Sequence, residues 1–309
     1  MNNELWTEKY RPDTLDGYVF TGDEQKEQIE SWIKKKSIPH LLFSGGAGLG
    51  KTTLAKILIN LLEVDPFDVL EINASRENGV DAIRDKITGF VQTMPFGDFK
   101  IVLLDEADYI TPQGQAILRG VMEMYHVSAR FILTCNYPNR VIPALHSRTQ
   151  GFHIEKIDQT EFTARVAQVL ITEDVTFDLE TLDTYVKATY PDLRKCLNTV
   201  QQSSINGELK QPGSTASSTA EYKIAVVELF KKQQYSKGRE LLCASVRPED
   251  MEENFRWFYD NLDLWGDSDE QKDQAILVIR TGLVNHSFVA DPEINLSACL
   301  IELCGIRSS

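Results

Sequence analysis

Between residues 38 and 155 short apolar runs alternate with segments of helical spacing, a pattern that predicts a parallel sheet with helices on both faces. The predicted strands are 40–44, 69–72, 101–105, 130–134 and 152–154. Ile101-Val102-Leu103-Leu104 and Phe131-Ile132-Leu133 are wholly apolar, as strands buried on both sides require. Residues that act on a ligand are expected just past the C-terminal ends of such strands. Beyond residue 156 the strand signal fades, and 160–167, 179–189 and 193–202 read as three amphipathic helices of a small helical domain. Residues 211–219 are small and polar without a hydrophobic period, the composition of a connector. Residues 221–307 carry further helical stretches, with Pro248 and Pro292 suited to helix starts. The expected organisation is an α/β domain over 1–156, a small helical domain over 157–210, a linker over 211–220 and an all-helical domain over 221–309.

The first predicted strand runs into Gly-Gly-Ala-Gly-Leu-Gly-Lys-Thr-Thr at 45–53, and Leu54 to Ile59 continue with helical spacing. This is a P-loop in its proper strand-to-helix context. Gly45, Gly48 and Gly50 let the backbone fold closely around phosphates, so that successive N–H groups and the helix N-terminus point at the anion. Gly45, Gly46, Ala47, Gly48, Leu49, Gly50, Lys51, Thr52 and Thr53 are therefore the expected ATP-binding residues. Lys51 is expected to reach the terminal phosphates, and the Thr52 hydroxyl to ligate the Mg²⁺ that accompanies the nucleotide.

With 309 residues, 42% of them hydrophobic and 25% charged, the chain has the composition of a globular protein of two or three domains. No run approaches the ~18 apolar residues that span a bilayer, and Met1-Asn2-Asn3-Glu4 lacks a signal-peptide pattern, so a cytoplasmic protein is expected, in the host cytoplasm if viral. The five cysteines are scattered without a CxxC pair and the five histidines share no ligand-like spacing, which favours buried reduced thiols and no zinc module. A net charge of −14 weighs against a nucleic-acid partner. Residues 249–273, however, hold ten acidic side chains against Arg256 and Lys272, more than half of that excess, and read as a solvated helix face. A DNA-facing surface elsewhere stays open.

A second chemical element stands about 50 residues after the P-loop, where Leu103-Leu104-Asp105-Glu106-Ala107-Asp108 ends an apolar strand on an acidic pair. It looks like a Walker B motif, in which Asp105 holds Mg²⁺ through its water shell and Glu106 polarises the attacking water as general base. Asn136, after the fourth strand, matches a sensor-1 residue of the ATPases associated with diverse cellular activities (AAA+). Leu145-His146-Ser147-Arg148-Thr149 is similar to the Ser-Arg-Cys motif of clamp-loader ATPases, with Thr149 in place of Cys. That resemblance makes Arg148 an arginine finger aimed at the nucleotide of a neighbouring subunit. Pro191-Asp192-Leu193-Arg194-Lys195 resembles the sensor-2 segment, in which Arg194 reaches the phosphates from the lid. Trp6-Thr7-Glu8-Lys9-Tyr10-Arg11-Pro12 is similar to the opening of the replication factor C family, a segment that wraps adenine. By that likeness Thr7, Glu8, Lys9, Tyr10, Arg11, Pro12 and Val19 line the base pocket.

These motifs fall in the family's order over residues 6 to 200, while the last hundred residues match the family's helical collar mainly by size and helicity. Within the replication factor C family the chain most resembles the large ATPase subunit of T-even-type bacteriophage clamp loaders. Eukaryotic and archaeal small subunits are close competitors. The bacterial cellular loaders differ in carrying a four-cysteine zinc insertion after the P-loop helix. The resemblance implies an AAA+ P-loop domain with a five-stranded parallel sheet, a helical lid and an oligomerising collar. It implies ATP and Mg²⁺ as cofactors, a homo-oligomer joined by a distinct small clamp-loader subunit, and a sliding clamp and primer–template DNA as partners, with no membrane. Arg84 best matches the family's basic helix position toward template phosphates, ahead of Arg76 and Lys86. Arg119 and Glu123 stand i, i+4 where the family has interfacial residues, and an intrahelical pair fits them equally. The alternatives are another AAA+ replication ATPase, such as a helicase or helicase loader, and a nucleotide-gated scaffold.

Overall fold

The computed structural model describes residues 4–20, 22–77, 80–211, 219–232, 234–246, 251–286 and 288–308. It forms two compact units, Tyr10–Ile157 and Met1–Lys9 together with Asp158–Ser309. The short helix α1 (Trp6–Lys9) thus packs within the unit built by the C-terminal half.

The unit Tyr10–Ile157 is built on five parallel strands, β1 (Leu41–Ser44), β2 (Val69–Asn73), β3 (Lys100–Asp105), β4 (Ala129–Cys135) and β5 (Gln150–His153), in the order β2-β3-β4-β1-β5. Helices α2 (Asp23–Lys34), α3 (Lys51–Leu61), α4 (Val80–Gln92), α5 (Pro112–Met124) and the short α6 (Pro143–His146) connect and cover them. Alternate residues of each central strand enter opposite cores. Leu41, Phe43, Ile101, Leu103 and Ile132 meet Ile29, Trp32, Leu54 and Leu58 of α2 and α3. Leu42, Val102, Leu104, Phe131 and Leu133 meet Ile87, Val91, Leu118 and Met122 of α4 and α5. Burying each such side chain contributes on the order of 2 kcal/mol, enough to hold the strand ends where ligand-facing loops begin. Each predicted strand is present. β5 starts two residues earlier than the apolar pattern indicates, because it is an edge strand pairing only with β1, from Leu41↔Gln150 to Ser44↔His153. Its polar residues tolerate that exposure, and Phe152 alone marks its core face.

In the second unit, α7 (Gln159–Thr172), α8 (Leu179–Thr189) and α9 (Leu193–Ser203) each start at an aspartate cap. Asp158, Asp178 and Asp192 accept from the amides of Thr160, Thr181 and Lys195. α7 runs beyond the predicted residue 167 because buried Val169 and Leu170 prolong its apolar stripe. A two-stranded hairpin of β6 (Ser204–Ile205) and β7 (Glu208–Leu209) follows, turning on Asn206 and Gly207 at φ 55° and 76°. The apolar pattern does not reveal it, but the Asn-Gly pair is its signature.

Helices α10 (Thr219–Lys231), α11 (Tyr235–Ser245), α12 (Met251–Asp260), α13 (Asp269–His286) and α14 (Pro292–Ser308) pack around Phe255, Phe258, Trp265, Leu296 and Leu300. Most of the connector expected over 211–220 lies outside the described residues, as do Pro248, Glu249 and Asp250. The acidic run is only partly a solvated face. Asp260 is 8% exposed and takes Arg256 Nε at 3.2 Å, Glu253 pairs with Lys223 at 3.1 Å and Lys195 at 3.5 Å, and Asp263 pairs with Lys272 at 2.6 Å. Among the described residues no helix is long and apolar enough to cross a membrane.

Candidate active site

The loop after β1 leaves no room for side chains at two glycines. A Cβ on Gly45, at φ 153°, would stand 2.4 Å from the Ile154 carbonyl oxygen. Gly50 caps α3 at φ 87°, and a Cβ there would meet the Tyr18 ring at 3.0 Å. The first turn of α3 then points its backbone amides at the loop. Lys51 is buried, its ammonium donating to the carbonyls of Gly45 at 3.0 Å and Gly46 at 2.6 Å.

The start of α3 and the ends of β3 and β4 converge on one carboxylate. Asp105 Oδ1 accepts from the Thr52 hydroxyl at 2.6 Å and from the Thr134 hydroxyl at 2.6 Å. The Glu106 amide donates to the same Thr134 Oγ at 3.0 Å. Glu106 sits in the left-handed region at φ 58°, ψ 44°, a conformation costing a non-glycine residue on the order of 1–3 kcal/mol and held here by that bond. One turn on, Asp108 is 6% exposed and its Oδ2 accepts from the amides of Asn136 at 3.3 Å and Tyr137 at 3.1 Å. The loop after β4 is thereby fixed, while the Asn136 side chain has no hydrogen-bond partner among the described residues. Cys135 beside it is inert: burial first, then the Asp108 charge, pushes its thiol up to about 12.

The hydroxyl of Thr52, the carboxylate of Asp105, the Lys51 ammonium and the first-turn amides of α3 form a set of hard oxygen donors and anion binders. They fit Mg²⁺ and a nucleotide triphosphate. Thr134 completes the site without belonging to any motif, and Asp108, the last residue of the Walker B-like run, adds a contact to which that motif assigned no role. A hydroxyl at the end of the otherwise apolar run Phe131-Ile132-Leu133 is the only sequence signal for Thr134.

The remaining predicted residues are spread over both units. Tyr10, Arg11, Pro12 and Val19 belong to the sheet-containing unit, and Thr7, Glu8 and Lys9 to the other. There α1 is anchored by buried Trp6, whose amide donates to Gln201 Oε1 at 2.9 Å, and Lys9 pairs with Glu173 at 2.6 Å. Arg194 lies in the first turn of α9. Arg148 follows α6, its Nη1 donating to Ala144 O at 3.0 Å and Ser147 Oγ at 3.2 Å while Nη2 pairs with Glu123 of α5. Arg119 Nε lies 3.9 Å from Glu123, so the intrahelical pair exists with Arg148 as the nearer partner. Arg84 is exposed on α4 and Arg76 lies just before it, neither with an ion-pair partner among the described residues, whereas Lys86 pairs with Glu77.

Residues 41–157 match the family model of the ATPase family associated with various cellular activities (AAA). A replication factor C small subunit of Sulfurisphaera tokodaii is 43% identical over 209 residues, 66% of this chain and 64% of the relative. One from Archaeoglobus fulgidus is 37% identical over 249 residues, covering 78% of each chain. One from Saccharolobus solfataricus is 41% identical over 66% of this chain and 63% of its own length. The match therefore spans just under two thirds of the first and third of these relatives. Among solved structures, the Thermotoga maritima RuvB Holliday junction branch migration motor superposes with a TM-score of 0.54 at 13% identity, over 73% of this chain and 80% of that one, a likeness of fold alone. The sheet order, the P-loop and the Asp105 network define a AAA-type nucleotide-binding domain followed by a helical C-terminal region. The chain belongs to the replication factor C small-subunit family.

Proposed function

We propose that this chain is the ATPase subunit of a sliding-clamp loader, which uses ATP binding and hydrolysis to open a processivity clamp and place it on primer–template DNA. The observation that carries the reading is the convergence of Thr52, Thr134 and the Glu106 backbone on Asp105 at the mouth of a P-loop. Lys51 neutralises the terminal phosphates, and Thr52 with Asp105 would hold Mg²⁺. When bound, that ion supplies charge neutralisation at the transferred phosphoryl group. Glu106 takes the proton of the attacking water, and Asn136 offers its unpartnered side chain to orient that water. By the resemblance Arg194 takes the sensor-2 role, and Arg148 presents its charge to the nucleotide of a neighbouring copy. Such a charge is worth on the order of 10³-fold or more in phosphoryl transfer.

In this reading several copies assemble through their helical domains with a distinct small clamp-loader subunit, in the cytoplasm, and Arg84 contacts template phosphates. The finer identity we propose is the large ATPase subunit of a T-even-type bacteriophage loader, on the strength of the N-terminal segment and the Ser-Arg pair; the relatives compared are archaeal. We place the clamp contact at Phe67, Met94 and Phe96, which are 78%, 89% and 78% exposed. The two rings lie 6.0 Å apart, and an apolar patch of this kind marks a protein partner.

The test is Glu106→Gln in the assembled loader. Nucleotide binding stays intact, while turnover and clamp placement on primed DNA fall by at least about 10²-fold, the scale of a lost general base. Wild-type turnover by this variant removes Glu106 as the base.

A further inference from the structure

The ion pair between Arg148 and Glu123 is not a stability device. The two side chains are 34% and 45% exposed, and surface pairs of this kind contribute little to folding. The pair does fix a direction. A guanidinium carries five N–H donors. In Arg148 the two on Nη1 are met by Ala144 O and Ser147 Oγ, and one on Nη2 by the Glu123 carboxylate. The Nε–H and the second Nη2–H have no partner among the described residues. The side chain is therefore clamped on one edge and open on the other.

Glu123 is itself held. It stands in the last turn of α5, and Arg119 flanks the same carboxylate oxygen at 3.9 Å. Buried Gln115, two turns earlier, ties α5 to the segment that leads into α6. Its Nε2 donates to Arg140 O at 3.0 Å and its Oε1 accepts from Ile142 N at 2.8 Å. The carboxylate and the arginine it grips thus belong to one braced assembly. Arg148 also lines an open cleft of about 470 Å³ with Lys35, His40, His126 and Arg130, which has no acidic lining residue in a chain of net charge −14. The charges of Lys35, Arg130 and Arg148 along it draw an anionic group toward the unpaired donors.

We propose that Glu123 is a positioning residue for Arg148. It holds the guanidinium in the orientation from which its free Nε and Nη2 donors meet the phosphates of a nucleotide bound by a neighbouring copy. The inference rests on the trans-acting reading of Arg148 given above. Losing the grip leaves the charge but frees its direction, and misplacing a catalytic group by about 1 Å costs up to about 10²-fold.

The experiment compares wild type, Glu123→Ala, Glu123→Gln, Arg148→Ala and the Glu123→Ala/Arg148→Ala double variant as assembled loaders, measuring ATP turnover with clamp and primed DNA. Glu123→Ala is expected to lower kcat about tenfold with KM for ATP unchanged, and Glu123→Gln, which keeps an acceptor, to lose less. The double variant is expected to be no slower than Arg148→Ala alone, because a residue acting only through Arg148 has nothing left to orient. Turnover by Glu123→Ala at or above the wild-type rate overturns the proposal, and so does a further loss in the double variant. Both results leave the trans-acting reading standing if Arg148→Ala is itself inactive. Wild-type turnover by Arg148→Ala would instead remove that reading.

Discussion

Thr134 shows how a single hydroxyl on β4 organises two catalytic groups at the end of β3. It donates to Asp105 and accepts from the Glu106 amide, so the isosteric Thr134→Val change severs both links and leaves the volume of β4 intact. An unsatisfied buried donor or acceptor costs about 1–3 kcal/mol. We expect the variant to unfold at lower denaturant by about that amount and to lose turnover more than nucleotide affinity; unchanged unfolding and unchanged kcat would contradict the assigned network. His40 gives a second test at this scale. The Phe131 amide donates to its Nδ1 at 3.2 Å, so the neutral ring carries its proton on Nε2. Burial, then the charges of Arg130 and His126, pushes its pKa down to about 4. Because the folded value lies below the ordinary 6.5, the unfolded chain binds the extra proton first as pH drops, and this group's contribution is present above pH 6.5 and lost between about 6.5 and 4. A shift of that size is worth at most about 3 kcal/mol, less because the ring is partly open to solvent. Equilibrium unfolding at pH 7.5 and pH 5 should show a smaller difference in His40→Asn than in wild type, and equal differences would contradict this account. Lys51, Thr52, Asp105 and Glu106 are legible in the sequence because phosphate and Mg²⁺ chemistry fixes their local spacing. Thr134 stands in no motif, and the contacts through which Asp108 and Glu123 act, to the loop after β4 and to Arg148, are brought in by tertiary structure, which spacing does not encode.

Among the elements, the central strands are readable because burial on both faces leaves no polar position in Ile101-Val102-Leu103-Leu104, while the edge strand β5 shows itself only through Phe152. The loop between α4 and β3 illustrates what pattern alone misses. Met94 and Phe96 look like core residues, yet they stand in solvent because buried Asp68 holds the Phe96 and Gly97 amides at 2.7 and 2.9 Å. That carboxylate shapes an apolar tip that would otherwise collapse. Asp68→Ala leaves both amides unpaired, at a cost of about 1–3 kcal/mol in local order. Amide exchange at Phe96 and Gly97 is predicted to accelerate and clamp capture to weaken together. Unchanged exchange would show that Asp68 does not brace the loop, and unchanged capture with fast exchange would move the clamp contact elsewhere.

For the whole molecule, membership in the replication factor C small-subunit family accounts for the motif order and for an acidic chain that is proposed to handle DNA. Binding to a polyanion then depends on a few placed cations rather than on net charge. Arg84→Ala should weaken primed-DNA binding by the assembled loader and reduce the slope of log affinity against log salt by about one; an unaltered slope would place the DNA contact elsewhere. The two-unit division was only partly legible. The change from strands to helices near residue 157 is visible in the pattern, whereas the packing of α1 with the C-terminal unit depends on the Trp6 amide meeting Gln201, a contact across most of the chain. The central claim is that turnover needs a cation from a second copy. ATP turnover per chain, measured for the isolated chain and for the proposed assembly with clamp and primed DNA, tests it most directly. The account predicts a rise of at least about 10²-fold on assembly, and an isolated monomer that hydrolyses ATP as fast as the assembled loader would contradict it.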